Sequence, residues 1–288
     1  MASVATETLP FAEPLAGRFA GLPPASLSLY WLGQAGFALR AGGYRILIDP
    51  YLSDSLALKY RGTATPHERM MPAPITPDEL GPIDLVLCTH HHTDHLDAAT
   101  LAPLAARLPA LRFAVPAASA ELATTRIGVG EDRLIPLDAG MAVEPLPGLR
   151  VHAVRGAHET LETDALGRHR FLGYGLDWDG LRLFHSGDTI PFEGQAAEVA
   201  ALRSHLALLP VNGRSPALRA AGIAGNLTLD EAAALCASCG IPAMIAHHHG
   251  LFAFNTADPA EIDARAAVAA PLELLRARVQ VEYRLRAA

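Results

Sequence analysis

Residues 83–97 read Ile83-Asp84-Leu85-Val86-Leu87-Cys88-Thr89-His90-His91-His92-Thr93-Asp94-His95-Leu96-Asp97. This stretch decides the fold because it joins an apolar strand to a cluster of metal-competent side chains. The run Ile83–Cys88 has the β-branched, bounded composition of a buried strand, and Ala98-Ala99-Thr100-Leu101 begins a helical pattern. The array His90, His92, Asp94 and His95 therefore lies on a strand-to-helix loop. If the chain stays extended through residue 92, His90 and His92 project to one side and His91 points away, since side chains alternate along a strand with period two. Asp94 and His95 then fall near the helix start and offer a second ligand pair. Two such pairs suit two metal ions roughly 3.5–4 Å apart, a spacing that clamps both attacking and leaving oxygens. The alternative is a surface loop that merely happens to be rich in histidine, but packing alone does not call for this concentration of imidazole and carboxylate ligands.

Working outward, strands are expected at Ser26–Leu32, Gly36–Arg40, Tyr44–Ile48, Phe113–Pro116, Leu134–Leu137, Arg150–Val154, Leu206–Val211, Ala243–Ala246 and Val279–Arg286. Gly173–Trp178 and Leu181–His185 flank Asp179-Gly180, a strong two-residue hairpin signal. Helix starts are written at Thr76-Pro77-Asp78-Glu79 and Thr228-Leu229-Asp230-Glu231, both capping boxes, and at Asp258-Pro259. Strands in runs with helices interspersed, in each half, predict an α+β chain whose two sheets pack face to face with helices outside, an αββα sandwich. Residues 1–25, rich in Ala, Pro and Gly, read as an irregular lead-in to a single domain over 26–288.

Composition narrows the partners. The 288 residues are 50% hydrophobic with mean hydropathy +0.21, enough to bury a substantial core. A net charge of -7 without a basic run argues against duplex DNA or an anionic membrane as partner, though only weakly against a small phosphorylated substrate. Cys88, Cys236 and Cys239 make no disulfide framework and fit a reducing cytosol. The lone Cys236-Ala-Ser-Cys239 reads as core packing at a helix end. No apolar stretch is long enough to span a bilayer, and the N-terminus lacks a signal peptide pattern, so a cytoplasmic protein is expected.

A dinuclear site needs more ligands than one loop supplies. His158 follows the strand around Val151, Asp188 follows the second hairpin strand in His185-Ser186-Gly187-Asp188-Thr189, and His247-His248-His249-Gly250 follows another apolar strand. A carboxylate such as Asp188 can offer an oxygen to each of two ions, which makes it the natural bridge.

The ordered set of the His90 array, His158, Gly187-Asp188 and the late histidines resembles the metallo-β-lactamase superfamily of metal-dependent hydrolases. Trp31-Leu32-Gly33-Gln34-Ala35-Gly36-Phe37, Ile48-Asp49-Pro50-Tyr51-Leu52-Ser53-Asp54, His95-Leu96-Asp97, His185–Thr189 and Leu209-Pro210-Val211-Asn212-Gly213-Arg214 together resemble its L-ascorbate-6-phosphate lactonase-like branch, over about residues 27 to 265. The resemblance implies His90, His92 and His158 around one metal, Asp94, His95 and His248 around the other, and Asp188 between them, with His247 as the alternative to His248. It implies manganese or zinc as the two divalent ions. Asp49 and Asp97 are candidates to hold a ligating imidazole in its tautomer. His185, Asn212 and Arg214 are candidates for substrate contact, Arg214 through a bidentate grip on a carboxylate or phosphate. Asp94, Asp188 and His185 are the expected catalytic groups. The implied activity is hydrolysis of a lactone or related ester of a small molecule by a metal-activated water; a small phosphodiester and a non-catalytic metal-binding regulator are the alternatives. Assembly into a homo-oligomer is also expected. The segment Arg214–Arg219 departs from the best-known relative's loop.

Overall fold

A computed structural model describes residues 4–21 and 26–287. Within them two mixed sheets face each other. The first has the order β1-β15-β2-β3-β4-β5-β6-β7 and the second β14-β13-β12-β11-β10-β9-β8. The first is built from β1 (Val4–Pro10), β2 (Leu27–Gly33), β3 (Gly36–Ala41), β4 (Tyr44–Ile48), β5 (Leu85–Leu87), β6 (Arg112–Pro116), β7 (Leu134–Leu137) and β15 (Val281–Ala287). The second comprises β8 (Ala142–Leu146), β9 (Leu149–Arg155), β10 (Leu172–Trp178), β11 (Leu181–His185), β12 (Leu206–Pro210), β13 (Ala243–His247) and β14 (Glu273–Arg276). Each sheet is antiparallel at one end and parallel at the other, switching at β4–β5 in the first and at β11–β12 in the second.

Three apolar layers follow from strand alternation. Leu29, Phe37, Ile46 and Leu85 meet Val151, Tyr174, Leu183 and Leu208 between the sheets. The opposite faces of the first sheet pack against α1 (Leu15–Ala20), α3 (Ala98–Arg107) and α4 (Ala120–Ile127) through residues such as Phe19, Leu101 and Ile127. Those of the second sheet pack against α5 (Gln195–Ala201), α7 (Leu229–Cys239) and α8 (Pro259–Ala266). The short α2 (Ser55–Lys59) and α6 (Pro216–Ala220) lie in connecting loops. The αββα sandwich expected from the sequence is the observed fold.

Local chemistry sets several boundaries. Asp179 and Gly180 both take positive φ, 49° and 78°, as the mirror-image hairpin turn between β10 and β11 requires. Thr228 and Glu231 close a full capping box on α7, and the Asp258 side chain accepts from Ala260 N on α8. The equivalent box at Thr76–Glu79 forms too, but the expected helix is only the 3-10 turn Pro77–Leu80. Gly81, at φ 67°, and Pro82 stop it at once.

The expectation of an irregular lead-in over residues 1–25 is corrected. Residues 4–10 form β1, paired antiparallel with β15 from Val4↔Ala287 to Pro10↔Val281, and α1 follows. Residues 1–3 and 22–25 lie outside the described residues. Cys236 is buried beneath the second sheet, Cys239 is partly exposed, and all three cysteines are free thiols.

Candidate metal centre

The array does not converge by strand alternation. β5 ends at Leu87, and the chain bends from His90 and turns through 93–95, with His95 N and Leu96 N donating to His92 O at 3.1 and 2.8 Å. That turn, rather than an extended backbone, brings His90, His92, Asp94 and His95 to one place. The other three donors come from the second sheet, each just beyond a strand: His158 after β9, Asp188 after β11, His248 after β13. Gly187 is required beside Asp188. Its φ is +61°, and a Cβ there would lie 2.7 Å from Thr89 Cβ and 2.9 Å from Leu172 O, so only glycine lets this turn press against the first sheet.

Asp188 is the hub. Its Oδ2 lies 3.2 Å from His248 Nε2, 3.4 Å from His95 Nε2 and 3.7 Å from His158 Nε2. Ligand atoms converge in three overlapping groups, each within 4.8 Å: His90, His92 and His158; His90, His95 and Asp188; and Asp94, His95 and His248.

Hydrogen bonds behind the rings set their tautomers. Thr89 donates both its backbone N–H (2.7 Å) and its hydroxyl (2.6 Å) to the buried Asp49 carboxylate. With that hydroxyl proton committed, Thr89 Oγ1 can only accept from His90 Nδ1 at 3.0 Å. His95 Nδ1 donates to Asp49 Oδ2 at 2.7 Å, and His158 Nδ1 to the Gly225 carbonyl at 3.0 Å. In each neutral ring the proton sits on Nδ1 and the Nε2 lone pair faces the cluster, the arrangement that metal-binding histidines use.

Electrostatics separate the rings, favouring the neutral form of His90 and His158 and the charged form of His95. Burial pushes His90 well below its ordinary value and His158 down to about 4, against the pull of Asp188. For His95 burial acts downward, but Asp188, Asp49 and Asp94 outweigh it and raise the ring well above its ordinary range. Asp188 is held well below the carboxylate range by His248 and His95 despite its burial.

His90 Nε2, His95 Nε2, His248 Nε2 and Asp188 Oδ1 are buried without a hydrogen-bond partner. One such orphan costs about 1–3 kcal/mol, and four in one cluster of nitrogen and oxygen donors is what divalent cations satisfy. The residues present fit divalent metal binding.

A family model described as a Beta-lactamase superfamily domain matches residues 44–249, more than half of the chain. The chain belongs to the metallo-β-lactamase superfamily. A UPF0173 metal-dependent hydrolase of Polynucleobacter asymbioticus is 33% identical over 205 residues, 64% of this chain and 64% of that protein. The match thus spans slightly less than two thirds of that relative. A second protein so named, from Aeropyrum pernix, is 28% identical over 250 residues, 82% of this chain and 88% of its own. A solved metallo hydrolase from the archaeon Ignicoccus hospitalis superposes with a TM-score of 0.65 at 20% identity, covering 91% of this chain and 99% of that one.

On this superfamily scaffold several expected roles are corrected. His185 is fully buried, its Nε2 2.8 Å from Ala35 O and its Nδ1 accepting from Gly187 N at 3.0 Å. With both nitrogens engaged by backbone it braces the Gly187 turn, away from the residues that line the cleft. Arg214 is gripped by Glu231 through Nη1 and Nη2 at 2.6 and 2.7 Å, which turns it onto α7. Asn212 spends its amide on Asn255 and Asn226; Asn255, not Asn212, lines the cleft. Asp97 accepts from Ser53, Ser55 and Thr100 and caps α3, so it holds no imidazole, whereas Asp49 does. His247 stacks on His185 at 5.1 Å and joins none of the ligand groups; His248 does.

The cluster floors a cleft of about 410 Å³. Sequence reasoning gave no role to Gln34, whose φ is +50°. Its carbonyl accepts from His248 N and Trp31 Nε1, and its amide donates to Asp94 Oδ2 at 3.1 Å. The signal was its place in Gly33-Gln34-Ala35-Gly36. Phe252 and Phe254 also line the cleft, as do Tyr60 and His67, which carry no motif that would have found them. Among the described residues no helix is long and apolar enough to cross a membrane.

Proposed function

We propose that the chain is a metal-dependent hydrolase whose substrate is a lactone or related carboxylic ester of a small molecule. The observation that supports this most directly is the convergence of bare Nε2 atoms on Asp188 at the floor of an open cleft. His90, His92 and His158 would hold one divalent ion, Asp94, His95 and His248 a second, with Asp188 shared; manganese and zinc both suit this donor set. When bound, such ions acidify water toward neutral pH and polarise a carbonyl oxygen.

The chain's own groups do the rest. Asp49 and Thr89 keep protons on the far nitrogens of His95 and His90, so their near nitrogens stay free. Gln34 orients Asp94 by its hydrogen bond to Oδ2, and Asp94, partly exposed to the cleft, is the carboxylate placed to take up or return a proton at the substrate. Buried His185 and Gly187 fix Asp188. A phosphate clamp is not what the expected arginine supplies, since Arg214 is committed to Glu231.

The test is metal analysis of protein purified without chelator, followed by a substrate panel. About two ions per chain and turnover of simple lactones, with no turnover of bis-p-nitrophenyl phosphate, support the reading. Turnover of the phosphodiester alone refutes it in favour of a phosphodiesterase, and none across the panel with both ions loaded favours a metal-binding regulator.

A further inference from the structure

One wall of the cleft is aromatic, and this bears on the substrate. Tyr60 and His67 stack with centroids 4.2 Å apart and planes at 23°. His67 also stands edge-on to Phe252 at 5.0 Å and to Phe254 at 4.7 Å, both at 67°. Phe252 and Phe254 are themselves parallel within 4° at 6.0 Å. Four rings from two distant segments thus form a corner beside Asp94 and His248 in the same cleft. Phe252 is buried against Tyr51, Leu56 and Leu251 and serves as its backing, while Tyr60, His67 and Phe254 are only partly buried.

The four rings of the corner are themselves uncharged. His67 Nδ1 donates to Thr65 O at 2.8 Å, and burial lowers the ring's affinity for a second proton. Of the nearby cations, Lys59 lies over the Tyr60 ring at 4.9 Å, whereas Arg126 is bonded to the His91 and Leu96 carbonyls and Arg219 is paired with Glu159 at 2.5 Å. Leu56 and Ile223 also line the cleft.

We infer that the Tyr60, His67, Phe252 and Phe254 corner is a subsite for a flat, uncharged ring carried by the substrate, so that the class turned over is aryl-bearing lactones or esters rather than sugar phosphates. This rests on the hydrolase reading above for turnover, but not for binding. A planar ring entering the cleft can stack on an exposed ring of the corner and meet its neighbour edge-on, and such aromatic contacts contribute beyond buried area. A saturated ring of similar size buries comparable surface without that term.

The experiment compares γ-phenyl-γ-butyrolactone with γ-cyclohexyl-γ-butyrolactone as substrates of the metal-loaded protein. In parallel, 3-phenylpropanoate and 3-cyclohexylpropanoate are compared as ligands by NMR titration of the metal-free protein. The phenyl compound is expected to lead by roughly tenfold in kcat/KM and in Kd, the sum of one or two aromatic contacts. Phe254→Ala and Tyr60→Ala should bring both ratios close to one, and Tyr60→Phe should restore them, with circular dichroism confirming that each variant is folded. Equal handling of the two rings in both measurements, or preference for a phosphorylated lactone, overturns the subsite. Selective binding of 3-phenylpropanoate without turnover of any lactone upholds the subsite and counts against the hydrolase reading instead.

Discussion

Replacing Asp49 by asparagine tests the reasoning about the metal centre without touching a proposed ligand. Asp49 is completely buried and accepts three hydrogen bonds, from Thr89 N at 2.7 Å, Thr89 Oγ1 at 2.6 Å and His95 Nδ1 at 2.7 Å. Its φ of 45° is one asparagine also tolerates, so the backbone need not move. Asn Oδ1 can still accept from Thr89 N, but the other position becomes an amide donor facing two donors. Relief comes if His95 moves its proton to Nε2, which removes the lone pair aimed at Asp188, and if Thr89 turns away from His90. Loss of a group that orients a metal-bound histidine typically weakens metal affinity 10–100-fold, about 1.4–2.7 kcal/mol. The mismatched donors add about 1–3 kcal/mol of lost stability. Metal affinity is measured by competition with a chromophoric chelator, and stability by urea unfolding of the metal-free protein. A folded Asp49→Asn variant that binds metal within about twofold of the parent would refute the tautomer argument.

Other expectations follow from the same geometry. His92→Ala should lose at least one ion per chain and nearly all turnover, read by elemental analysis and kinetics; full occupancy with the alanine present would disprove the ligand set. Gly187→Ala combines a positive φ with a Cβ only 2.7 Å from Thr89, so a loss of about 1–3 kcal/mol in unfolding free energy is expected, with weaker metal binding because Thr89 is displaced from His90. Arg214→Ala should leave lactone kinetics unchanged and cost no more than about 1 kcal/mol, as its pair with Glu231 is part-exposed; a large KM effect would return Arg214 to the substrate. Asp263 is held down to about 2 by Arg276 and then Arg278. Its depressed folded value means the unfolded chain binds the proton first, so its stabilising share is complete above the ordinary 3.8 and disappears as pH falls toward about 2. Urea midpoints across that window should therefore fall more steeply in the parent than in Asp263→Asn.

The fold class was legible because strand alternation and capping boxes are local signals, and most strand boundaries lie within a residue or two of expectation. β1 was not, because what makes Val4–Pro10 a strand is β15, some 270 residues away. The centre was legible where donors are dense, at His90–His95, or sit just past an apolar strand, as His158, Asp188 and His248 do. The resemblance favoured His248 over His247, and in the fold His248, at a positive φ of 63°, joins the donor groups while His247 does not. Arg214 and His185 misled for one reason: residue type advertises capacity, and only packing shows whether Glu231 or the backbone has already taken it. The aromatic corner joins residues 60 and 67 to 252 and 254, and no spacing along the chain announces that.

The insertion of β15 between β1 and β2 has a consequence for how the molecule comes into being. During synthesis at roughly 5–20 residues per second, the N-terminal strand emerges first yet must wait until the C-terminal strand is made. Until then β2 presents an open edge to any other nascent chain. His248 is likewise translated long after His90, so the donors can gather only once the chain has been made through β13. A chain interrupted before β13 would keep the exposed edge at β2 and would lack His248 from the donor cluster.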